Sequence, residues 1–426
     1  MATHTPRYGW YGDDFTGATD TLATLAERGW HALLFLGLPT PGQLAAAGPL
    51  DAIGVAGATR TMAPPDMARE LDAAGRFFAA AGVALLHYKC CSTFDSAPHV
   101  GSIGAAVGAL RAFFPNPLVP IVGGQPNLGR YCLFGQLFAA AGDGTVHRVD
   151  RHPTMSRHPV TPMTEADLRL HLAAQGLEPV GLVDYRTHDG TAGTTRLPDK
   201  AGVVLFDVAR EADLTAIGRI VASRMDERPM LAVGPSSVAR ILAGTGAAIA
   251  PADASPRAAP SSRSRAKGPV LALVGSLSPV TRAQVEVAHG YARIAVDPAR
   301  LLSDEAYRQS LHRQAIEALG HGDAMLVTDR PDGTAIAAGA VATATGRLLA
   351  AIMKGARISR LVIAGGDTST MALRALPIWG LSYRAACVPG APLCSAHADH
   401  EWLDRMEIIL KGGQMGPRDF FASVGQ

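Results

Sequence analysis

The densest chemistry in the 426-residue sequence lies near its start, in Tyr11-Gly12-Asp13-Asp14-Phe15-Thr16-Gly17-Ala18-Thr19-Asp20. Adjacent carboxylates repel unless a cation or hydroxyl meets them, and Thr16 with Gly17 lets backbone N–H groups face a ligand where a helix begins. Asp13 and Asp14 are therefore candidates for an acidic general base acting on a polyol or sugar acid, with Thr16 lining the same site. The competing use is structural: Asp14 or Thr16 caps the helix and Asp13 is solvated.

A second group, Lys89-Cys90-Cys91-Ser92-Thr93-Phe94-Asp95-Ser96, leads into Gly101-Ser102-Ile103-Gly104. A lysine at a strand end, hydroxyls, one carboxylate and a Gly-rich helix start suit a small, anionic, hydroxylated ligand. Lys89 and the N–H groups around Gly101, Ser102 and Gly104 would hold its carboxylate, while Ser92, Thr93 and Asp95 take its hydroxyls. The plainer alternative is an ordinary βα loop rich in Ser and Thr. Cys90 and Cys91 read as small packed residues, because a nucleophilic thiolate needs an activating neighbour.

Three further turns follow apolar runs late in the chain: Gly275-Ser276-Leu277-Ser278, Gly365-Gly366-Asp367-Thr368-Ser369 and Lys411-Gly412-Gly413. Together they offer closely approaching glycine backbone, N–H donors, hydroxyls and one lysine, the inventory a nucleotide polyphosphate requires. Neither G-x-x-x-x-G-K-[ST] nor G-x-G-x-x-G occurs, and glycines that merely let a helix pack on a strand are the alternative for Gly412 and Gly413. Cys387, Cys394, His397 and His400 depart from the usual zinc spacing, so no metal ligand set is expected. His147, His152 and His158 lie in a polar, Pro-containing stretch and read as loop residues.

Positioning these residues falls to short apolar runs alternating with amphipathic stretches, the pattern of βα units around a mainly parallel sheet. Strands are expected at Tyr8 to Gly12, Ala52 to Ala56 and Val83 to Tyr88, with helices from Thr19, from Pro65 and from about Glu165 behind a Thr164 cap. The rhythm restarts at Val270 to Gly275, with further strands at Ala324 to Thr328, Arg360 to Ala364 and Met406 to Leu410, and a helix near Thr370. Between the halves, the Pro-, Ser- and Arg-rich stretch 251–269 has almost nothing to bury. The expected organisation is α/β in two domains, 1–250 and 270–426, joined by that linker. Each carries a mainly parallel sheet flanked by helices, with the active site in the cleft between them.

Composition narrows the function. Lys and Arg number 39 against 37 Asp and Glu, a formal net charge of +2, with no long run of like charge. That excludes the electrostatic footprint of a nucleic-acid or anionic-membrane binder. Five cysteines, an odd number, and an N-terminus without an apolar leader point to a reducing, cytoplasmic setting. A phosphatase with an aspartate nucleophile is one rival reading, weakened by the lack of an alternating Asp-x-Asp. A non-catalytic acid-sugar binding protein is the other, equally compatible with a cleft.

The first three groups, with His158 to Met163, Pro389-Gly390-Ala391-Pro392 and Lys411 to Gly416 followed by Asp419-Phe420-Phe421, resemble the four-carbon acid sugar kinase family. The blocks run in the family's order over essentially the whole chain. The resemblance implies an N-terminal domain that holds a tetronate-type acid and a C-terminal domain that holds ATP, with phosphorylation of the terminal C4 hydroxyl. Ser276, Gly365 to Thr368 and Gly412 match nucleotide-binding positions, and Asp13, Asp14, Lys89, Ser92 and Asp95 match the acid-sugar side. The Cys91 to Ser96 form is similar to the branch acting on 3-oxo-tetronates, whereas Gly-Ser-Ile-Gly at 101–104 and Gly-Gly-Gln-Pro-Asn at 123–127 depart from it. Mg²⁺ is expected to ride on the ATP phosphates, with Asp367 in its outer shell. Threonate and erythronate are companion substrate expectations, and a homo-oligomer is compatible with the sequence.

Overall fold

A computed structural model describes residues 5–158, 160–189, 197–198, 202–250, 265–276, 278–328 and 338–425. The chain divides into two compact units, 1–259 and 260–426, and residues 251–264 of the expected linker lie outside the described residues.

The first unit contains β1 (Tyr8–Gly12), β2 (Ala32–Phe35), β3 (Ala52–Ala56), β4 (Leu85–Lys89), β5 (Val119–Val122), β6 (Arg130–Leu133), β7 (Gln136–Ala140), β8 (Val146–Arg148), β9 (Val180–Val183), β10 (Val203–Phe206) and β11 (Met230–Gly234). Its helices include α1 (Phe15–Ala26), α2 (Pro41–Ala47), α3 (Pro64–Ala80), α4 (Ile103–Leu110) and α5 (Leu168–Ala173). The main sheet runs β2-β3-β1-β4-β11-β5-β10-β9, every neighbouring pair parallel. Strands buried on both faces read as continuous apolar runs, and every residue of β5, β10 and β11 is buried. Helices cover them through one stripe, as α3 does with Met67, Leu71, Ala74 and Phe78.

In the second unit, β12 (Val270–Val274), β13 (Tyr291–Val296), β14 (Asp323–Thr328), β15 (Arg360–Ala364) and β18 (Glu407–Lys411) form a parallel sheet in the order β13-β14-β12-β15-β18. An antiparallel hairpin, β16 (Gly380–Val388) and β17 (Ala391–His397), continues it beside β18. The helices α6 (Pro279–Glu286), α7 (Ala338–Gly355) and α8 (Gly366–Arg374) follow β12, β14 and β15. The buried Arg360 ties β15 to β18 through Glu407, Nε to Oε2 at 2.7 Å.

Several elements differ from expectation. The first helix begins at Phe15, four residues early, because Asp14 accepts from Gly17 N and starts it. The α5 helix is capped by Asp167 rather than Thr164, its carboxylate accepting from Arg169 N. The α8 helix starts at Gly366, so the Gly365 to Ser369 group is its first turn. Apolar periodicity in the sequence does not announce the small antiparallel sheet β6-β7-β8 or the β16-β17 hairpin.

Candidate active site

In both units, successive strands are added on one side of the first strand and then on the other, and ligand crevices form at the carboxyl ends of strands where that order reverses. In the first unit the reversal lies between β1 and β4. Asp13 and Asp14 leave the end of β1, Lys89 ends β4, and Arg60 sits on the turn that follows β3.

Arg60 organises this cluster. Its Nε and Nη2 donate to Asp13 Oδ2 and Oδ1 at 2.9 and 2.7 Å, and its Nη1 donates to Asp14 Oδ2 at 2.7 Å. Asp14 Oδ1 takes Gly17 N–H at 2.8 Å, so this residue is the helix cap as well as part of the cluster. A methyl built on Gly17 would stand 1.8 Å from Lys89 Nζ, so only glycine lets the buried ammonium lie against the first turn of α1 beside Asp14. Burial raises the Asp13 pKa, and the neighbouring Asp14 charge adds to it against the opposing pull of Arg60. For Asp14 burial acts the same way, but Arg60, Lys89 and the Gly17 N–H outweigh it and hold the pKa low. Burial would lower the Lys89 pKa, yet the two carboxylates leave it raised.

Ser92, Thr93 and Asp95 are buried on the loop after β4, where Thr93 Oγ1 meets Cys91 Sγ at 3.0 Å. Phe94 holds a left-handed φ of 55° there, a strained conformation for a bulky residue, and a bond from Gln175 Nε2 to Ser96 Oγ braces the turn. Thr16 Oγ1 and Asp95 Oδ1 are buried without a hydrogen-bond partner, which in a native site marks a place for a ligand or water. Burial raises the Cys90 and Cys91 pKa values, so both stay thiols at neutral pH.

The turn expected to hold a carboxylate, Gly101 to Gly104, also carries structural contacts. Ser102 Oγ accepts from Ala105 N, Gln175 Oε1 takes Ile103 N–H at 2.7 Å, and a methyl on Gly104 would stand 2.1 Å from the Gln175 carbonyl. Gly101, at φ 60°, lies against the Arg60 carbonyl, where a methyl would come within 2.5 Å. These residues brace the Arg60 turn, and two of the helix N–H groups that would have met an anion are already bonded.

In the second unit the order reverses between β12 and β15. The three glycine turns interlock there. A methyl on Gly275 would stand 2.0 Å from Thr368 Oγ1, one on Gly365 would stand 3.2 Å from Ser276 N, and one on Gly413 would stand 2.5 Å from Ser276 Oγ. Neither α6, behind Ser278, nor α8, behind Gly365, has a side-chain cap, so the turns meet at two open helix N-termini. Ser278 Oγ and Ser369 Oγ are buried without partners. Thr281 Oγ1 donates to Gly413 O at 2.8 Å, and Gln284 Nε2 holds the carbonyls of Met415, Gly416 and Pro417.

Lys411 is fully buried beneath these turns, its Nζ donating to Thr281 Oγ1 at 3.0 Å and Gly412 O at 2.9 Å. Burial pushes its pKa down to about 7. The unfolded chain then binds a proton that the folded lysine has released, so this group's contribution to stability rises with pH between about 7 and 10.5. Wild type is expected to gain in Tm relative to Lys411→Met across that window, and parallel profiles would contradict the burial effect.

Among the described residues no three His, Cys, Asp or Glu side chains gather into a metal-binding group. Cys394 and His397 alternate to opposite faces of β17, and His397 Nε2 pairs with Ser382 Oγ at 2.9 Å. No helix among the described residues is long and apolar enough to cross a membrane.

Two arginines, the partly buried Arg60 and the buried Arg130, escape the motif reading. Arg60 carries a signal in retrospect, Thr-Arg-Thr directly after a βα strand end, but Arg130 lies in a stretch with no periodicity.

Residues 8–242 match the family described as "Sugar-binding N-terminal domain", and residues 271–421 match "Nucleotide-binding C-terminal domain". A 3-oxo-isoapionate kinase of Paraburkholderia graminis is 39% identical over 97% of this chain and 93% of its own length. A 3-oxo-tetronate kinase of Cupriavidus necator is 32% identical over 98% and 96% respectively. A solved chain from Salmonella typhimurium LT2, provisionally described as a tRNA synthase, superposes with a TM-score of 0.77 at 26% identity, covering 98% of both chains. With both family matches and relatives of this identity along nearly its whole length, the chain belongs to the four-carbon acid sugar kinase family.

Proposed function

We propose that this protein is an ATP-dependent kinase that phosphorylates the terminal C4 hydroxyl of a sugar acid such as a 3-oxo-tetronate, threonate or erythronate. Residues 1–250 hold the acid and residues 270–426 the nucleotide, with 251–269 as linker. The observation that carries the reading is the interlocked Gly275, Gly365 and Gly413 turns over two uncapped helix N-termini, an arrangement suited to phosphates and not needed by a phosphatase or a simple binder. The names of the relatives favour 3-oxo acids and add 3-oxo-isoapionate to the set to be tested.

Phosphoryl transfer calls for positioning, charge neutralisation and a base. Bound Mg·ATP would supply the phosphoryl group and a cation that offsets phosphate charge, with Asp367, in the first turn of α8, toward its outer shell. Ser276, Ser278, Gly365, Gly366, Thr368, Ser369, Gly412 and Gly413 hold the phosphates by N–H and hydroxyl donors, with Lys411 stiffening the last turn from below. Thr16, Ser92, Thr93 and Asp95 take substrate hydroxyls. Asp13 accepts the proton of the attacking hydroxyl as the new P–O bond forms and the bond to the ADP oxygen breaks. Asp14, needed as cap and held ionised at low pKa, is the weaker base and keeps Lys89 in place.

The reading is tested by a coupled ADP assay across the four acids, with product NMR to locate the phosphate. ADP formation requiring both ATP and an acid supports it. Phosphate release without an acid, or inactivity on all four, refutes it. Gly275→Ala is expected to raise the KM for ATP about tenfold or more, a loss of about 1.4 kcal/mol, while the acid's KM holds. An unchanged ATP KM would remove this turn from the nucleotide site.

A further inference from the structure

We infer that Arg130 is the residue that receives the substrate's carboxylate, an assignment that rests on the sugar-acid reading above and extends it. Arg130 opens β6, and its backbone is fixed on both sides by Gln125, with N–H···O distances of 3.2 and 2.9 Å. Its side chain is buried, with 8% of the residue exposed. Nη1 donates to the Leu128 carbonyl, but Nε is buried with no partner, and the guanidinium makes no ion pair among the described residues.

Charge matching separates this cation from the other two. Arg60 is answered by Asp13 and Asp14 at hydrogen-bond distance, and Lys89 lies beside Asp14. Arg130 has no such answer. Burial lowers its pKa, and Cys91 and Asp95, on the loop after β4, with Tyr131 oppose that only in part. Gln125, whose backbone pairs with Arg130, donates from Nε2 to Asp20 Oδ2 at 2.9 Å, which brings the start of β6 beside α1, one turn from Thr16. Asp95 Oδ1 and Thr16 Oγ1, both buried and unpartnered, belong to the same unit.

A buried guanidinium without a counter-ion is unfavourable, and one that persists in a site points to an anion that completes it. Its planar fork of donors matches a carboxylate in two parallel hydrogen bonds, which a lysine cannot reproduce. In this arrangement Arg130 holds the acid end of the chain, Asp95 accepts from a hydroxyl between, and the terminal hydroxyl is left for Asp13. This explains why Gly101 to Gly104 can be committed to bracing: the carboxylate has another receptor.

The test compares Arg130→Met and Arg130→Lys with wild type on a 3-oxo-tetronate and on a neutral four-carbon ketose in which the carboxylate is replaced by hydroxymethyl. Arg130→Met is expected to raise the KM for the acid on the order of 10- to 100-fold, the range for lost hydrogen bonds to a charged group. The KM for ATP and the KM for the neutral ketose should move much less, and Arg130→Lys should recover part of the loss for the acid. Equal increases for acid and ketose would overturn the assignment.

A second measurement does not depend on turnover. Without ligand, Arg130→Met should be at least as stable as wild type, since it removes an unanswered buried charge, whereas a merely structural Arg130 would make the variant melt lower. Calorimetric titration with the acid alone should give binding to wild type that Arg130→Met loses, and equal binding to both would overturn the inference. If wild type binds the acid through Arg130 yet forms no ADP, the kinase reading fails and this one stands. If wild type forms ADP and Arg130→Met shows no selective loss, the kinase reading stands and the Arg130 assignment fails.

Discussion

Asp13→Asn is expected to lower kcat roughly 10²- to 10⁴-fold, the span a positioned general base contributes, with a much smaller change in KM for the acid. The amide keeps the shape of the carboxylate and can still accept a hydrogen bond from Arg60, but it cannot take the hydroxyl proton. Burial and the Asp14 charge hold the Asp13 pKa above the usual carboxylate value. A base must be ionised to act, so kcat should rise with pH through that raised pKa, and Asp13→Asn should flatten this acidic limb. Asp14→Asn should affect catalysis less, because asparagine caps a helix nearly as well. Steady-state rates against pH for both variants, with circular dichroism to establish folding, decide the matter. A kcat for Asp13→Asn within a few-fold of wild type would remove Asp13 from the base role.

The largest effect on stability is expected from Arg60→Met. One guanidinium answers two buried carboxylates through three hydrogen bonds of 2.7 to 2.9 Å, and Asp13 and Asp14 are 3% and 6% exposed. Removing one partner of a buried pair leaves uncompensated charge, which costs about 3–5 kcal/mol. The pH dependence gives this loss a signature. Without Arg60 both carboxyl pKa values rise in the folded state, that of Asp13 further above its ordinary value, so the folded variant binds more protons than folded wild type and loses stability relative to it as pH increases through that range. The deficit relative to wild type should therefore be larger at neutral pH than near pH 5, a value taken as roughly one unit above the ordinary carboxylate range. Denaturant unfolding at the two pH values measures it. A constant deficit would mean that Arg60 acts through packing alone.

The two arginines also mark where the reading of a single sequence stops. Asp13, Asp14 and Lys89 were legible because a carboxylate pair or a lysine at the end of an apolar run has few structural uses. The partner that sets their charges is 46 and 47 residues away from the carboxylates, on a turn whose own residues look unremarkable. Arg130 is harder still, since β6 buries the arginine and leaves Tyr131 and Leu133 partly exposed, the reverse of what polarity predicts, and a buried arginine is distinguished from a surface one only by the chain packed over it. Conversely, Gly101, Ser102 and Gly104 looked like an anion-binding turn because Gly and Ser serve both uses. What only the fold shows is the bracing use, in which Gln175, from beyond α5, takes the Ile103 N–H.

Local residue order was enough to establish the βα rhythm, both parallel sheets and the residue groups of the two candidate sites, because hydrophobic periodicity and strand-end turns are local properties. Which groups answer one another was settled by the tertiary fold. Strand order brought the ends of β1, β3 and β4 to one place and those of β12, β15 and β18 to another. Unequal partners then separated the pKa values of two adjacent buried aspartates, and burial left one arginine without a hydrogen-bonded counter-ion. These outcomes depend on distances between residues far apart in the chain and on the removal of water from around them, and neither quantity is written in the order of neighbouring residues.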